Sequence, residues 1–201
     1  MRKVILVSTL AVAVIFASCT TRQKVVVPPK PIVPIIPENI MGRGLVSAEQ
    51  LSAFLLGVNQ QMDTEFVENL SRFYVEEAAA EGVNHDVAFS QMCLETGFLR
   101  FGNLVTPDMN NFCGLGAIDA EHPGERFSTP RIGVRAHIQH LKAYATEEPL
   151  KQDLVDPRYK WVKKGIAPTI QGLTGKWAMD PDYDRKINGV LTRLYDEAFE
   201  K

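Results

Sequence analysis

Each shortage in this chain excludes a class of function. Three cysteines in 201 residues are too few for a disulfide-built scaffold. The four histidines include no His-Glu-x-x-His, and their one close pair supplies only two ligands where a zinc site takes three or four. His137 and His140 stand three apart on a predicted helix and share a face, but two such side chains are expected to pack or hydrogen-bond behind a cleft. No metal and no organic cofactor is implied. Lysine and arginine total 22 against 24 acidic residues, a net charge of −2. With no basic block standing out, nucleic acid is not an expected partner. No apolar run reaches the roughly 20 residues of a membrane-spanning helix. What remains is ordinary: 45% hydrophobic and 23% charged residues, enough for one globular domain with extensions.

The start of the chain reads as an export signal. Arg2 and Lys3 precede an apolar run from Val4 to about Ala17, short and flanked as a secretory signal is. The run ends Phe16-Ala17-Ser18-Cys19, which resembles a bacterial lipobox despite Phe16 at a position more often Leu. Residues 1–18 are therefore expected to be a lipoprotein signal peptide and Cys19 the lipidation site, anchored through buried acyl chains. An ordinary cleaved signal with an incidental Cys19 is the alternative. Residues 19–44 are expected to be the anchor and spacer. Pro28, Pro29, Pro31, Pro34 and Pro37 block helix and sheet ladders and favour an extended rod, although the interspersed Val and Ile would also suit a strand packed on the domain. A monomer in the cell envelope, held to a membrane at Cys19, is the expected arrangement. In an oxidising compartment Cys93 and Cys113 either pair or stay as buried thiols.

From residue 45 to 201 the pattern is helical. Ser47 and Gln50 form a capping box. Phe66, Val67, Leu70, Phe73, Tyr74 and Ala78 recur at helical spacing up to Gly82, a natural stop. Asn84 caps the next helix, which runs to about Thr96 and ends at Gly97. From Phe98 to Thr129 periodicity disappears in a stretch rich in Gly, Asn, Asp and Pro, longer than an ordinary loop and therefore a candidate functional one. Thr129-Pro130 opens a helix carrying Val134, Ile138, Leu141 and Ala145. A short helix near Pro168–Leu173 and a last one over Tyr183–Phe199 follow.

Glu95 sits in the last turn of the helix that leads into the irregular stretch. The helix dipole is negative there, and Leu94 and Phe98 add desolvation. Both raise a carboxyl pKa, and a carboxyl that keeps its proton is what glycosidic cleavage requires of its acid. A solvated glutamate at a fraying helix end is the plain alternative.

Three ordered segments bear on that choice: Glu95-Thr96-Gly97-Phe98, Asn110-Asn111-Phe112-Cys113-Gly114-Leu115-Gly116-Ala117, and Trp177-Ala178-Met179-Asp180-Pro181-Asp182-Tyr183. Together, across roughly residues 65–195, they resemble the glucosaminidase domain of glycoside hydrolase family 73. The resemblance implies a mainly α, lysozyme-like α+β fold, with a helical core and a small irregular or β lobe. It implies an endo-β-N-acetylglucosaminidase acting on peptidoglycan glycan strands, with Glu95 as general acid. Asn111, Phe112, Trp177 and Tyr183 are implied to bind substrate in the cleft. Trp177 replaces a tyrosine usual in the family, and Leu99 a glycine; Trp177 can stack on a sugar face but offers no phenol. For a second carboxylate the candidates are Asp119, Glu121 and Glu125, with Glu121 and then Glu125 favoured. Inverting, retaining and substrate-assisted routes all remain open. A muramidase or lytic transglycosylase of the same build, or a wall-binding lipoprotein without turnover, are the rival readings.

Overall fold

The computed structural model describes residues 33–200. The expected signal peptide, the lipidation site Cys19 and the spacer up to residue 32 lie outside the described residues. Six α-helices follow in order: α1 (Ala48–Val58), α2 (Thr64–Glu81), α3 (His85–Glu95), α4 (Pro130–Ala145), α5 (Ile170–Leu173) and α6 (Tyr183–Phe199). Among the described residues there is no strand beyond isolated bridges such as Asn39 with Thr169 and Met41 with Val83. The fold is thus mainly helical, as expected, and among the described residues the stretch after α3 is irregular rather than a β lobe.

The helices start where their caps place them. Ser47 and Gln50 form the expected reciprocal box on α1. Asp63 accepts from Phe66 N at 2.7 Å at the head of α2, and Gly82 ends that helix in the left-handed region at φ 79°. Thr129 caps α4 through Ile132 N. Each N-terminal cap satisfies a backbone donor that the helix leaves orphaned, and Gly82 N–H donates to Ala78 O at the other end of α2.

α3 is the centre of the molecule. Nine of its eleven residues are buried, so it has no solvent face, as a helix enclosed on all sides must. It packs between α2 and α6, while α4 lies across α2. Val87, Phe89, Met92 and Cys93 of α3 join Leu70 and Tyr74 of α2, Ile138 and Leu141 of α4, and Ile187, Leu191 and Leu194 of α6 in one core. Enclosure of α3 brings its last residue, Glu95, to the edge of the core rather than to a frayed end.

The expected spacer does not reach residue 44. From Glu38 onward the chain is stitched to the domain: Ile170 N donates to Glu38 O and Ile40 N to Pro168 O, and Asn84 N donates to Ile40 O. Ile40 is fully buried. Asp86, also fully buried, accepts from Leu45 N at 2.7 Å and from Tyr195 Oη at 2.9 Å. The stretch is proline-free after Pro37, which leaves its N–H groups available for these bonds.

Candidate active site

Glu95 is fixed by a hook in the backbone just beyond it. Thr96 Oγ1 donates to Met92 O at 2.8 Å and accepts from Leu99 N at 2.9 Å. Phe98 N then donates back to Cys93 O at 2.7 Å, and Phe101 N to Thr96 O at 2.8 Å. Gly97, Phe98 and Leu99 take φ of 58°, 57° and 60° in succession, a left-handed turn that only glycine adopts without cost. Leu99 takes this backbone although it carries a side chain. Its side chain is buried in the core, and that burial offsets the unfavourable backbone. From outside, Asn59 Nδ2 donates to Phe98 O and Arg100 donates to Val58 O, tying the hook to the end of α1.

The Glu95 carboxyl uses its two oxygens differently. Oε1 accepts from Trp177 Nε1 at 3.1 Å and from the phenol of Tyr183. Oε2 faces the bare α-carbon of Gly114, where an added methyl would lie 3.9 Å away. Burial lifts the Glu95 carboxyl above its ordinary range, while the hydrogen bonds from Tyr183 and Trp177 pull the other way and do not cancel it. The Tyr183 hydroxyl is pushed up by burial and then by the neighbouring Glu95 charge, so it stays a donor.

Behind Tyr183 runs a buried relay. Gln91 Nε2 donates to Tyr183 Oη at 2.8 Å, and Gln91 Oε1 lies 2.9 Å from His137 Nε2. His137 Nδ1 lies 2.9 Å from Tyr74 Oη. Because Gln91 Oε1 can only accept, His137 must carry its proton on Nε2 and receive one from Tyr74 on Nδ1. Burial lowers the His137 pKa to about 3, with His140 adding to the shift, so the ring is neutral. Every donor in the series Tyr74, His137, Gln91, Tyr183 points toward Glu95 Oε1.

Glu95 opens on a cavity of about 270 Å³. Its walls are the Thr96 end of α3, the lip Phe101–Val105, the loop Asn111–Ala117, and Trp177 with Ala178. The loop is held by one amide. Asn111 Nδ2 donates to Leu115 O and Glu125 O, and its Oδ1 accepts from Leu115 N and Cys113 N. Gly133 of α4 permits the close approach of this loop, because a methyl there would sit 1.8 Å from Asn110 O.

The expected site residues divide. Glu95, Asn111 and Trp177 line the cavity together. Phe112 does not: it is 1% exposed and packs in the core, where a large apolar ring is more stable than against water. Tyr183 is 4% exposed and reaches Glu95 from behind rather than from the cavity. The Asn111 amide is spent on backbone groups, so it shapes the wall. Trp177 places a hydrogen-bond donor on Glu95 through its indole N–H. Its ring is braced against Tyr144 and His140 at centroid distances of 5.3 and 5.2 Å.

Glu121 and Glu125 do not line the cavity. Glu121 is exposed in a turn held by Asp119, and Asp119 itself pairs with His122 at 3.0 Å. The Asn111 bond to Glu125 O turns the Glu125 side chain over Gly116 and toward Arg158, 3.7 Å away. Glu95 is the one carboxylate on the cavity wall among the described residues. Cys93 and Cys113 are both buried free thiols. His140 bonds Asp156 at 2.8 Å, and among the described residues no three His, Cys, Asp or Glu side chains gather as metal ligands. The sequence reading missed Gln91 and the relay. Gln91 lies four residues before Glu95 on the same helical face, which was the available signal.

The profile of the Glucosaminidase family, described as mannosyl-glycoprotein endo-beta-N-acetylglucosaminidase, matches residues 71–196. An uncharacterized protein of Borreliella burgdorferi is 43% identical over 157 residues, which are 78% of this chain and 77% of that one. Staphylococcus aureus autolysin E in complex with the muropeptide NAM-L-Ala-D-iGlu aligns with a TM-score of 0.51 at 15% identity, over 80% of this chain and 71% of that one. A catalytic mutant of the same autolysin in complex with the disaccharide NAG-NAM gives 0.52 at 13% identity, over 82% and 75%. At such identities the likeness is one of fold. Fold and site together define a glycoside hydrolase of lysozyme-like build. More particularly, the chain belongs to the Glucosaminidase family.

Proposed function

We propose that this protein is an endo-β-N-acetylglucosaminidase that cuts peptidoglycan glycan strands, with Glu95 as the general acid. The observation that carries the reading is the division of labour within the Glu95 carboxyl. Oε1 is occupied by two donors, so the acid proton resides on Oε2, the oxygen that faces Gly114 and the cavity. Burial keeps that proton in place at higher pH than an ordinary carboxyl would hold it.

The absence of another carboxylate from the cavity lining among the described residues favours the substrate-assisted route over the two-carboxylate ones. In that route the N-acetyl oxygen of the bound sugar bonds to the anomeric carbon as the glycosidic C–O bond breaks. Glu95 Oε2 gives its proton to the leaving oxygen. Water then attacks the anomeric carbon, the Glu95 carboxylate takes the proton from that water, and the N-acetyl group is restored. Trp177 offers its ring to the sugar while its N–H steadies the acid. Asn103, on the opposite lip, supplies an exposed amide to sugar hydroxyls. Glu121 and Glu125 take no part in this scheme.

We read the N-terminus as a lipoprotein signal ending at Ser18, with Cys19 acylated and a single copy of the chain held at a membrane of the cell envelope. The charged start, the apolar run and the small residues before Cys19 support this. Labelled palmitate should enter the wild type and not Cys19→Ala; label in both, or in neither, contradicts the anchor.

Digestion of purified peptidoglycan tests the enzymatic reading. New reducing ends should be N-acetylglucosamine, and Glu95→Gln should release them about 10²–10⁴-fold more slowly. N-acetylmuramic acid or anhydro ends would replace the proposal with a muramidase or a transglycosylase. Equal release by wild type and variant would remove Glu95 from the reaction.

A further inference from the structure

The overall charge of −2 conceals a local excess. Arg158-Tyr159-Lys160-Trp161-Val162-Lys163-Lys164 places four cations in seven residues, just after α4 in the loop leading to α5. Trp161 is 73% exposed, a large apolar area to leave in water. It is held as a platform, with Lys160 Nζ 4.9 Å from its ring centroid. Among the described residues no carboxylate lies within ion-pairing distance of Lys160, Lys163, Lys164 or Lys176; Arg158 alone has a partner, Glu125.

These groups surround a second hollow of about 380 Å³, lined by Tyr144, Arg158, Trp161, Lys163 and Lys176 with Gly116. It shares a partition with the Glu95 cavity. Cys113, Gly114 and Ala117 line one side of the loop and Leu115 and Gly116 the other. Lys176 faces the hollow and its neighbour Trp177 faces the acid. The Trp177 ring rests on Tyr144, which also lines the hollow. A substituent carried by a sugar in the cavity therefore has a cationic, aromatic basin next to it.

We propose that this basin binds the acidic peptide stem of the glycan substrate, its carboxylates on Lys163 and Lys176 and its backbone against Trp161. The inference rests on the peptidoglycan reading above and names what that substrate carries. Among the described residues Lys163 and Lys176 have no carboxylate partner to give up, Lys176 Nζ donating only to Ile166 O, so a ligand carboxylate binds without first breaking an internal ion pair, and flat aromatic area adds contact without ordering a flexible side chain.

The test uses the slowed variant Glu95→Gln, so that binding is read ahead of cleavage. Its ligands are an N-acetylglucosamine–N-acetylmuramic acid disaccharide bearing a tripeptide stem, and the same molecule with the stem carboxylates converted to amides. Calorimetry should give a Kd for the acid form roughly three- to tenfold lower than for the amide form, with the ratio shrinking as salt rises. Adding Lys163→Gln and Lys176→Gln, both on exposed side chains, should bring the ratio close to one. Equal affinity for the two forms, or a ratio unaltered by the lysine changes, would overturn the proposal. So would binding to vesicles of anionic phospholipid that depends on the same lysines without any preference between the stems. Failure of the hydrolase reading looks different: the wild type would then leave peptidoglycan uncut.

Discussion

Tyr183 donates its phenol to Glu95 Oε1 across 88 residues of chain, joining the first residue of the last helix to the last residue of α3. The bond lowers the Glu95 pKa against the larger effect of burial. Tyr183→Phe should therefore raise it further and move the alkaline limb of the pH–rate profile upward. The same change leaves Gln91 Nε2 buried without its acceptor, a cost of about 1–3 kcal/mol in stability. Rate against pH, together with a urea melt, reads both effects. An unmoved limb would show that the phenol does not tune the acid.

Glu95 itself should trade stability for activity. A carboxyl whose pKa is raised by folding contributes stability that is full below the ordinary carboxyl range and is lost as pH rises through the raised value. Glu95→Gln escapes that loss. The variant should melt above the wild type at neutral pH and converge with it on acidification, while the cleavage rate falls about 10²–10⁴-fold. Melting curves that stay parallel from acid to neutral pH would mean that Glu95 ionises normally.

Leu99 offers a second trade. Replacing it with glycine relieves a left-handed backbone by about 1 kcal/mol but withdraws a buried side chain worth roughly 1.5–3 kcal/mol. Leu99→Gly should thus lose about 0.5–2 kcal/mol and still cleave. A gain in stability would show that strain outweighs burial at this position.

Lys142 and Glu81 form a buried ion pair at 2.9 Å with both side chains at 0% exposure. Lys142 also donates to Pro149 O, and Glu81 accepts from the backbone N–H of Lys151 and Gln152. Lys142→Met strands the carboxylate and should cost about 3–5 kcal/mol. Chemical denaturation measures it, and a loss below 1 kcal/mol would contradict the burial of the pair.

Local rules made the helices legible. Ser47, Asp63, Asn84 and Thr129 cap as their side chains require, and Gly82 stops α2 with the backbone only glycine takes easily. Glu95 was legible as a helix-end carboxyl, but its geometry was not. That depends on Trp177 and Tyr183, contributed from more than eighty residues away. Phe112 and Tyr183 were assigned to the cleft surface because motif position says nothing about which way a ring turns. Glu121 and Glu125 are candidates only because the family resemblance puts a second acid in the small lobe, in the loop after Gly116. Their placement is set by the Asn111 amide and by Arg158, partners no spacing rule supplies. The stitched segment from Glu38 was hidden by the prolines before it, which speak for a rod until Pro37 and then fall silent.

The left-handed hook after Thr96 gives the acid a thermal fuse. Its closure depends on a few bonds around Thr96, Phe98 and Leu99 and on two ties to the end of α1. Warming that loosens this latch would let the carboxyl swing into water and shed its proton while the helices still stand. Inactivation should then begin at a lower temperature than the collapse of the core.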